Sequence, residues 1–378
     1  MKILQIGKFW PVRGGVEKVM YDLTAGLSRR GIRCDMLCAA SEGPACEIVL
    51  NPCGTVTAVS TLLKASSTMI APAMIARLRR TAASYDIIHV HHPDPMAALA
   101  LRLSGYRGKV VLHWHSDILR QRMLLKLYRP LQSWLLGRAD TVICTSPSYA
   151  AGSEALAGVG ARLRCVPIGI DPVVPVTDPA ARPAWLPRGR RVVFSMGRMI
   201  PYKGFDNLIL AAAELPDDYV TVIAGSGPLY EPLRAMVRNL HLESRVIMPG
   251  RITDAERDAL LGAAGVFVLP SVEKTEAYGI VIIEAMSAGV PVIATEIPGS
   301  GTSWVNAHGV SGLNVPVADP QALARAVTDI CSDEAVRAAY AASARRRWEE
   351  NFTGDRFLDT VAGIYDSLLR QASPAPRK

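Results

Sequence analysis

Two carboxylates and a glycine stand close together in the stretch Pro270-Ser271-Val272-Glu273-Lys274-Thr275-Glu276-Ala277-Tyr278-Gly279-Ile280-Val281-Ile282-Ile283-Glu284-Ala285. An apolar run before it reads as a strand and the run after it as a helix, with Gly279 allowing the tight turn between them. A helix amino terminus offers free N–H groups and the positive end of a dipole, which suits a phosphate. Glu276, just before that terminus, is placed to accept hydrogen bonds from sugar hydroxyls. Glu284, read as lying about two turns further on, is placed to bind ribose hydroxyls. The same spacing also fits a carboxylate that only stabilises the helix dipole, and spacing alone does not separate the two.

Gly197-Arg198-Met199-Ile200-Pro201-Tyr202-Lys203-Gly204 follows another strand. Arg198 offers a planar fork and Lys203 a point charge, a pair that would clamp a diphosphate at the carboxyl end of a strand. The alternative is two solvated loop charges. In Leu112-His113-Trp114-His115-Ser116-Asp117, His115 could hydrogen-bond a reacting sugar, and Asp117 could meet an acceptor or orient the histidine. His89, His91, His92, His113 and His115 invite a zinc reading. It is set aside because His91 and His92 point apart on a strand and no Glu/Cys set completes a site. His89 or His113 is expected to be a core histidine with its hydrogen bonds satisfied.

Gly14-Gly15, between the first strand and the first helix, would let backbone approach a substrate closely. The segment is not G-x-G-x-x-G, and no G-x-x-x-x-G-K-[ST] occurs, which excludes a P-loop enzyme. No two aspartates stand two apart, so the D-x-D cation site of metal-dependent transferases is missing. No metal or other cofactor is expected.

These groups need a scaffold, and the hydrophobic pattern supplies one. Strands are predicted at 2–6, 87–90, 110–114 and 141–145, with a helix at 16–30. In the second half strands are predicted at 191–196, 220–224, 246–248, 266–269, 291–294 and 313–315, with helices at 205–213, 229–240, 254–262 and 280–288. Such alternation implies parallel strands with crossover helices. Pro172, Pro175, Pro179, Pro183 and Pro187 mark a linker. The expected domains are therefore 1–171, a linker 172–190, 191–354, and a helix at 355–371 that crosses back to the first domain.

The chain has 378 residues and a net charge of +8. Residues 1–171 carry 21 Lys and Arg against 11 Asp and Glu, whereas residues 172–378 carry 21 against 23. A basic first half suits nucleic acid, an anionic membrane or an anionic substrate, and no nucleic-acid motif is present. Seven cysteines form no C-x-x-C pair and read as reduced thiols. Neither a signal peptide nor a membrane-spanning run is recognised, so a cytoplasmic location is expected.

Taken in order, Gly14-Gly15, His115, Val166-Pro167-Ile168-Gly169-Ile170-Asp171, Gly197-Arg198 with Lys203-Gly204, Gly225-Ser226-Gly227-Pro228, and Glu276 with Glu284-Ala285-Met286-Ser287-Ala288-Gly289-Val290-Pro291-Val292 resemble the family 4 retaining glycosyltransferases. The resemblance spans nearly the whole chain. It implies an α/β fold of GT-B type, with two Rossmann-like doubly wound domains facing a central cleft. It implies that Arg198 and Lys203 bind the donor diphosphate, that the amides of Gly15 and of Ala277, Tyr278, Gly279 and Ile280 hold phosphates, and that Glu284 binds the ribose. Glu276 and His115 would contact the donor sugar at the reaction centre, and Gly14 and Asp117 the acceptor. Tyr278 departs from the family's more usual phenylalanine.

The stretches Trp114-His115-Ser116-Asp117-Ile118 and Pro298-Gly299-Ser300-Gly301-Thr302-Ser303-Trp304-Val305-Asn306 are similar to bacterial mannosyl- and rhamnosyltransferases of O-antigen or exopolysaccharide assembly. Those commonly use GDP-linked sugars, which implies GDP-mannose or a GDP-deoxyhexose as donor. The expected acceptor is a lipid-linked saccharide. Residues 120–129, basic and apolar by turns, and residues 69–80 are candidates to lie on anionic lipid, or else surface helices packed on the core. Two other classes remain open: a nucleotide-sugar epimerase of the same architecture, and a non-enzymatic two-lobed sugar-binding protein.

Overall fold

The computed structural model describes residues 1–65, 68–119 and 122–372, and the chain divides into two compact units. Unit 1 comprises Met1–Thr145, Ser153–Ile168 and Phe357–Lys378, and unit 2 comprises Ser146–Gly152 and Gly169–Arg356.

In chain order, unit 1 begins with β1 (Lys2–Trp10), α1 (Gly15–Arg29), β2 (Arg33–Ala40), β3 (Cys46–Asn51) and β4 (Gly54–Val59). It continues with β5 (Leu63–Ala65), β6 (Thr68–Ile70), α2 (Pro72–Thr81), β7 (Ile87–His92), α3 (Pro95–Ser104), β8 (Lys109–Trp114), α4 (Arg122–Arg138) and β9 (Thr141–Cys144). The short helix α5 (Pro147–Gly152) belongs to unit 2, and β10 (Leu163–Cys165) returns to unit 1. The eight-stranded sheet runs β10-β9-β8-β7-β1-β2-β4-β3.

The sheet is parallel except at its edge, where β3 pairs antiparallel with β4; the separate hairpin β5–β6 is also antiparallel. The expected parallel strands are present, and the antiparallel edge strand and hairpin are additions that the sequence pattern did not show. The sequence pattern did not reveal β2 because Arg33–Ala40 is buried almost end to end, without alternation. A short continuous apolar run is ambiguous between a buried strand and a helix. Residues 69–80, expected as one amphipathic helix, split into β6 and α2, the turn coming at Pro72, which opens the helix. Within 120–129, Arg120 and Gln121 lie outside the described residues.

Unit 2 contains β11 (Arg191–Met196), α6 (Phe205–Glu214), β12 (Tyr219–Ala224), α7 (Tyr230–Asn239), β13 (Val246–Gly250), α8 (Asp254–Ala263) and β14 (Ala264–Leu269). Next come α9 (Ile280–Ser287), β15 (Val292–Thr295), α10 (Thr302–Val305), β16 (Gly312–Val315), α11 (Pro320–Cys331) and α12 (Glu334–Asn351). Its sheet is wholly parallel, in the order β13-β12-β11-β14-β15-β16. Val193, Phe205, Leu208, Ile223, Val266 and Leu323 lie in one of its buried clusters.

The proline-rich segment packs more than a linker would. Val173 is buried and donates its N–H to Ser287 Oγ at 3.1 Å, and Val176 donates to the Asp258 carbonyl at 3.0 Å. Proline removes donors at its own positions but leaves its neighbours free to bond. The final helix α13 (Gly354–Ala372) lies with unit 1 from Phe357 onward. A β-carbon on Gly26 of α1 would come within 2.5 Å of Leu358 Cδ1, Arg30 pairs with Asp359 at 2.6 Å, and Gln5 Nε2 donates to Tyr365 Oη at 3.0 Å. Among the described residues no helix is long and apolar enough to cross a membrane.

Candidate functional site

In each sheet the chain leaves its first strand in one direction and later returns on the other side, so chain order reverses beside β11 in unit 2 and beside β1 in unit 1. Loops at the carboxyl ends of strands flanking such a switch point are where open α/β sheets bind ligands. In unit 2 the switch point lies between β11 and β14, and the two loops singled out from the sequence, 197–204 and 270–279, follow those strands.

Lys203 Nζ lies 2.5 Å from Glu276 Oε2, with both side chains about one-tenth exposed (11% and 10%). Ser271 Oγ donates to the same oxygen at 2.9 Å. The sequence assigned Lys203 and Glu276 to different parts of a ligand, and the structure adds a buried ion pair between them. The reason is physical: a buried ammonium and a buried carboxylate each need a countercharge. Gly204, which follows Lys203, has φ +62°, and a β-carbon there would sit 2.2 Å from the Pro270 carbonyl. Only glycine lets the two loops approach this closely. Arg198 is exposed, and its guanidinium has no partner among the described residues.

The second loop is held by its carbonyls. Ser300 Oγ donates to the Glu276 carbonyl at 2.5 Å, Gly301 N–H to that of Ala277 at 2.9 Å, and Thr295 Oγ1 to that of Ser271. Gly279 then turns the chain at φ +78° into α9, whose first turn has no side-chain cap. The amino end of α9 therefore adjoins the Lys203–Glu276 pair through a three-residue link. Ala277, Tyr278 and Gly279 are buried, and Tyr278 packs edge-on against Phe352. Glu284 is the fifth residue of α9, just over one turn in rather than two. It is half-buried and within electrostatic reach of Arg257. Thr275 Oγ1 is buried without a hydrogen-bond partner. Ser271, Thr295 and Ser300 escaped the sequence reading as site residues; Ser271 and Ser300 lie in stretches singled out there, but without any hint of their contacts.

In unit 1, Gly14 caps α1 without a side-chain bond, and Gly15 is exposed at the start of that helix. A β-carbon on Gly14 would come 2.6 Å from Glu17 Oε2. Beside the β1–β7 switch point, Asp94 caps α3, accepting from Met96 and Ala97 N–H at 2.9 and 3.1 Å, and also accepts from Lys8 N–H. Neither Lys8 nor Asp94 was foreseen.

His115 belongs to a ladder. β7 and β8 are parallel, with His91 opposite His113. Alternate residues share a face, so His89, His91, His113 and His115 stack, with ring centroids 4.1–5.4 Å apart. His92 lies on the other face, stacked on Trp114 at 3.7 Å. His91 Nδ1 is 2.9 Å from His115 Nε2, and His91 Nε2 is 2.8 Å from Gln5 Oε1. Burial holds all five histidines below their usual range, His92 and His113 at about 3. Neighbouring histidines add to the effect at His89, His91 and His115.

One expectation is corrected here. His113 has both ring nitrogens buried and unpartnered, and His89 its Nε2, so neither is a fully satisfied core histidine. Asp117 Oδ1 accepts from Trp114 Nε1 at 2.9 Å and Ser153 Oγ at 2.7 Å, and His115 Nε2 is hydrogen-bonded to His91 Nδ1 at 2.9 Å. His91, His113 and His115 also bring one ring nitrogen each to within 4.8 Å of one another, a grouping the His91–His92 argument overlooked. Within this group His91 Nδ1 is bonded to His115 Nε2 at 2.9 Å, and His91 Nε2 faces Gln5 Oε1 at 2.8 Å.

Comparison with known proteins places both halves. The family model "Glycosyltransferase Family 4" matches residues 13–174, and "Glycosyl transferases group 1" matches residues 179–347. The O-antigen chain mannosyltransferase C of Escherichia coli is 31% identical over 99% of this chain and 100% of its own length. The D-rhamnosyltransferase WbpZ of Pseudomonas aeruginosa is 33% identical over 90% of this chain and 88% of its own. Among solved structures, sucrose-phosphate synthase from Thermosynechococcus elongatus superposes with a TM-score of 0.82 at 23% identity, covering 99% of this chain and 100% of that one. With two Rossmann-like units, matching models in each half and full-length relatives that transfer hexoses, the chain belongs to the GT-B glycosyltransferases, among hexosyltransferases like those of O-antigen assembly.

Proposed function

We propose that this glycosyltransferase takes mannose or a related deoxyhexose from a GDP-linked donor, with retention of anomeric configuration, and adds it to a lipid-linked saccharide. The observation that carries this reading is the meeting of the Lys203–Glu276 pair with the uncapped start of α9 at the β11–β14 switch point. The choice of sugar is supported by the mannosyl- and rhamnosyltransferase relatives, and that of GDP by the sequence resemblance.

A nucleoside diphosphate leaves readily once its charge is neutralised. In this reading the neutralising groups are Arg198, Lys203 and the N–H groups of Ala277 to Ile280, with no divalent ion required. Preorganised donors of this kind contribute about 10²–10³ in rate each. Glu284 binds the ribose. As the glycosidic bond breaks, an oxocarbenium-like sugar forms, and the acceptor hydroxyl attacks from the face the phosphate leaves, giving its proton to that phosphate. Glu276 positions sugar hydroxyls and is not a covalent nucleophile. Its Oε2 is held by Lys203 and Ser271, which fixes the orientation of the carboxylate and suits a positioning role.

A peripheral position on an anionic, cytoplasmic membrane face is supported by the basic first half and by Leu127, 81% exposed between Lys126 and Arg129. The decisive experiment is a thermal-shift screen of GDP-, UDP-, ADP- and TDP-sugars, followed by nucleotide release with a lipid-linked acceptor. A donor at 100-fold excess over its dissociation constant should stabilise by about 2.7 kcal/mol. Selective stabilisation by a UDP-sugar would overturn the base assignment. Donor epimerisation without acceptor would overturn the transferase reading of the site, and a trapped glycosyl–Glu276 adduct the mechanism.

A further inference from the structure

We propose that Gln5, His91 and Tyr365 are positioning residues that fix the tautomer of His115, so that its Nδ1 faces the transferred sugar as a hydrogen-bond acceptor. The inference rests on the reading that His115 contacts the donor sugar.

The polarity follows from one side chain. Gln5 Nε2 faces Tyr365 Oη at 3.0 Å and Cys34 Sγ at 3.6 Å, so Gln5 Oε1 faces His91 Nε2, at 2.8 Å. An amide oxygen only accepts, so the His91 proton sits on Nε2. A neutral imidazole carries one N–H, which leaves His91 Nδ1 as an acceptor. The proton in the 2.9 Å contact with His115 must then be on His115 Nε2, and His115 Nδ1 is left with a lone pair. At the far end, Tyr365 Oη receives from Gln5 and passes its own proton to His89 Nδ1 at 2.5 Å. Donation therefore runs one way, from His115 to His91, Gln5, Tyr365 and His89.

Every member of the chain is buried: Gln5, His89, His91 and Tyr365 are fully enclosed and His115 is 5% exposed. Burial also keeps the imidazoles neutral, so water and protons do not scramble the order. Stacking of His115 on His113 at 4.1 Å fixes its ring plane. Two requirements are thus met separately, the plane by stacking and the tautomer by a bond chain anchored on α13.

The test uses the whole protein. Long-range nitrogen–proton NMR of ¹⁵N-histidine-labelled protein at pH 7.5 should show His91 and His115 as Nε2–H tautomers. In His91→Leu the His115 signals should move toward a tautomer mixture. In His91→Asn, whose amide oxygen replaces the Nδ1 acceptor, they should return. An Nδ1–H form of His115 in the unsubstituted protein, or an unchanged Nε2–H form in His91→Leu, overturns the proposal. With GDP-mannose as probe, GDP release by His91→Leu should lose about three- to tenfold in kcat, the span of one hydrogen bond, with KM unchanged, and His91→Asn should recover it. An unimpaired His91→Leu beside an impaired His115→Ala overturns the positioning role. An unimpaired His115→Ala instead overturns the underlying placement of His115 at the sugar.

Discussion

Five neutral histidines inside unit 1 make its stability a function of acidity. Each has its folded pKa depressed by burial, His92 and His113 to about 3. In the unfolded chain a histidine titrates near 6.5. Above that value both states are neutral and stability is flat. Below it the unfolded chain binds protons that the folded one refuses, so stability falls with falling pH and levels off only near the folded pKa. The loss is about 1.4 kcal/mol per pH unit for each histidine, or about 7 kcal/mol per unit for all five together. Asp94 opposes this, because burial raises its pKa and protonation then favours the folded state, but only as one group and nearer the carboxylate range. A total stability of about 5–15 kcal/mol is thus consumed within about one to two pH units below 6.5. Urea denaturation in half-unit steps from pH 8 to 5, followed by near-ultraviolet circular dichroism and tryptophan emission, reads the effect. Trp114, fully buried against His92, is a natural reporter. The expected result is a constant midpoint down to about pH 6.5 and a steep decline below it. A midpoint unchanged to pH 5 would refute the neutral ladder.

Lys203→Met should cost about 3–5 kcal/mol by stranding Glu276 in a buried site; adding Glu276→Gln should recover part of that loss, as a double-mutant cycle by urea denaturation would show. Arg198→Ala, at an exposed position, should change stability by no more than about 0.5 kcal/mol while slowing nucleotide release about 10²–10³-fold, so a stable variant with normal kinetics would remove Arg198 from the donor site. Gly279→Ala forces a side chain into φ +78° and sets a β-carbon 2.9 Å from Ile282 and Leu269; a loss of about 1–3 kcal/mol is expected, larger than for Gly31→Ala, whose φ of +80° has open space around it.

Much of unit 2 was legible in the sequence because its strands are short apolar runs fenced by glycine and proline. The expected strand 191–196 coincides with β11, and the expected helices 205–213 and 280–288 match α6 and α9 to within a residue. The pairing of Lys203 with Glu276 was not legible. It depends on β11 and β14 being neighbours, a non-local fact that no local pattern carries. The histidine ladder was half legible. His89-x-His91 and His113-x-His115 each announce one face of a strand, but their stacking requires the in-register pairing of β7 with β8. Gln5 and Tyr365 were invisible as partners, standing 360 positions apart.

That last separation has a consequence for how the polypeptide is made. Unit 1 is discontinuous: its first 145 residues leave the ribosome long before Phe357 and the helix that seats Leu358 against Gly26 and Tyr365 beside Gln5. During synthesis the early segment has an unfilled apolar seat on α1, while all of unit 2 can emerge and fold. A fragment ending at residue 356, where unit 2 is complete, should accordingly expose that seat and aggregate, and a separately supplied peptide of residues 357–372 should rescue its solubility.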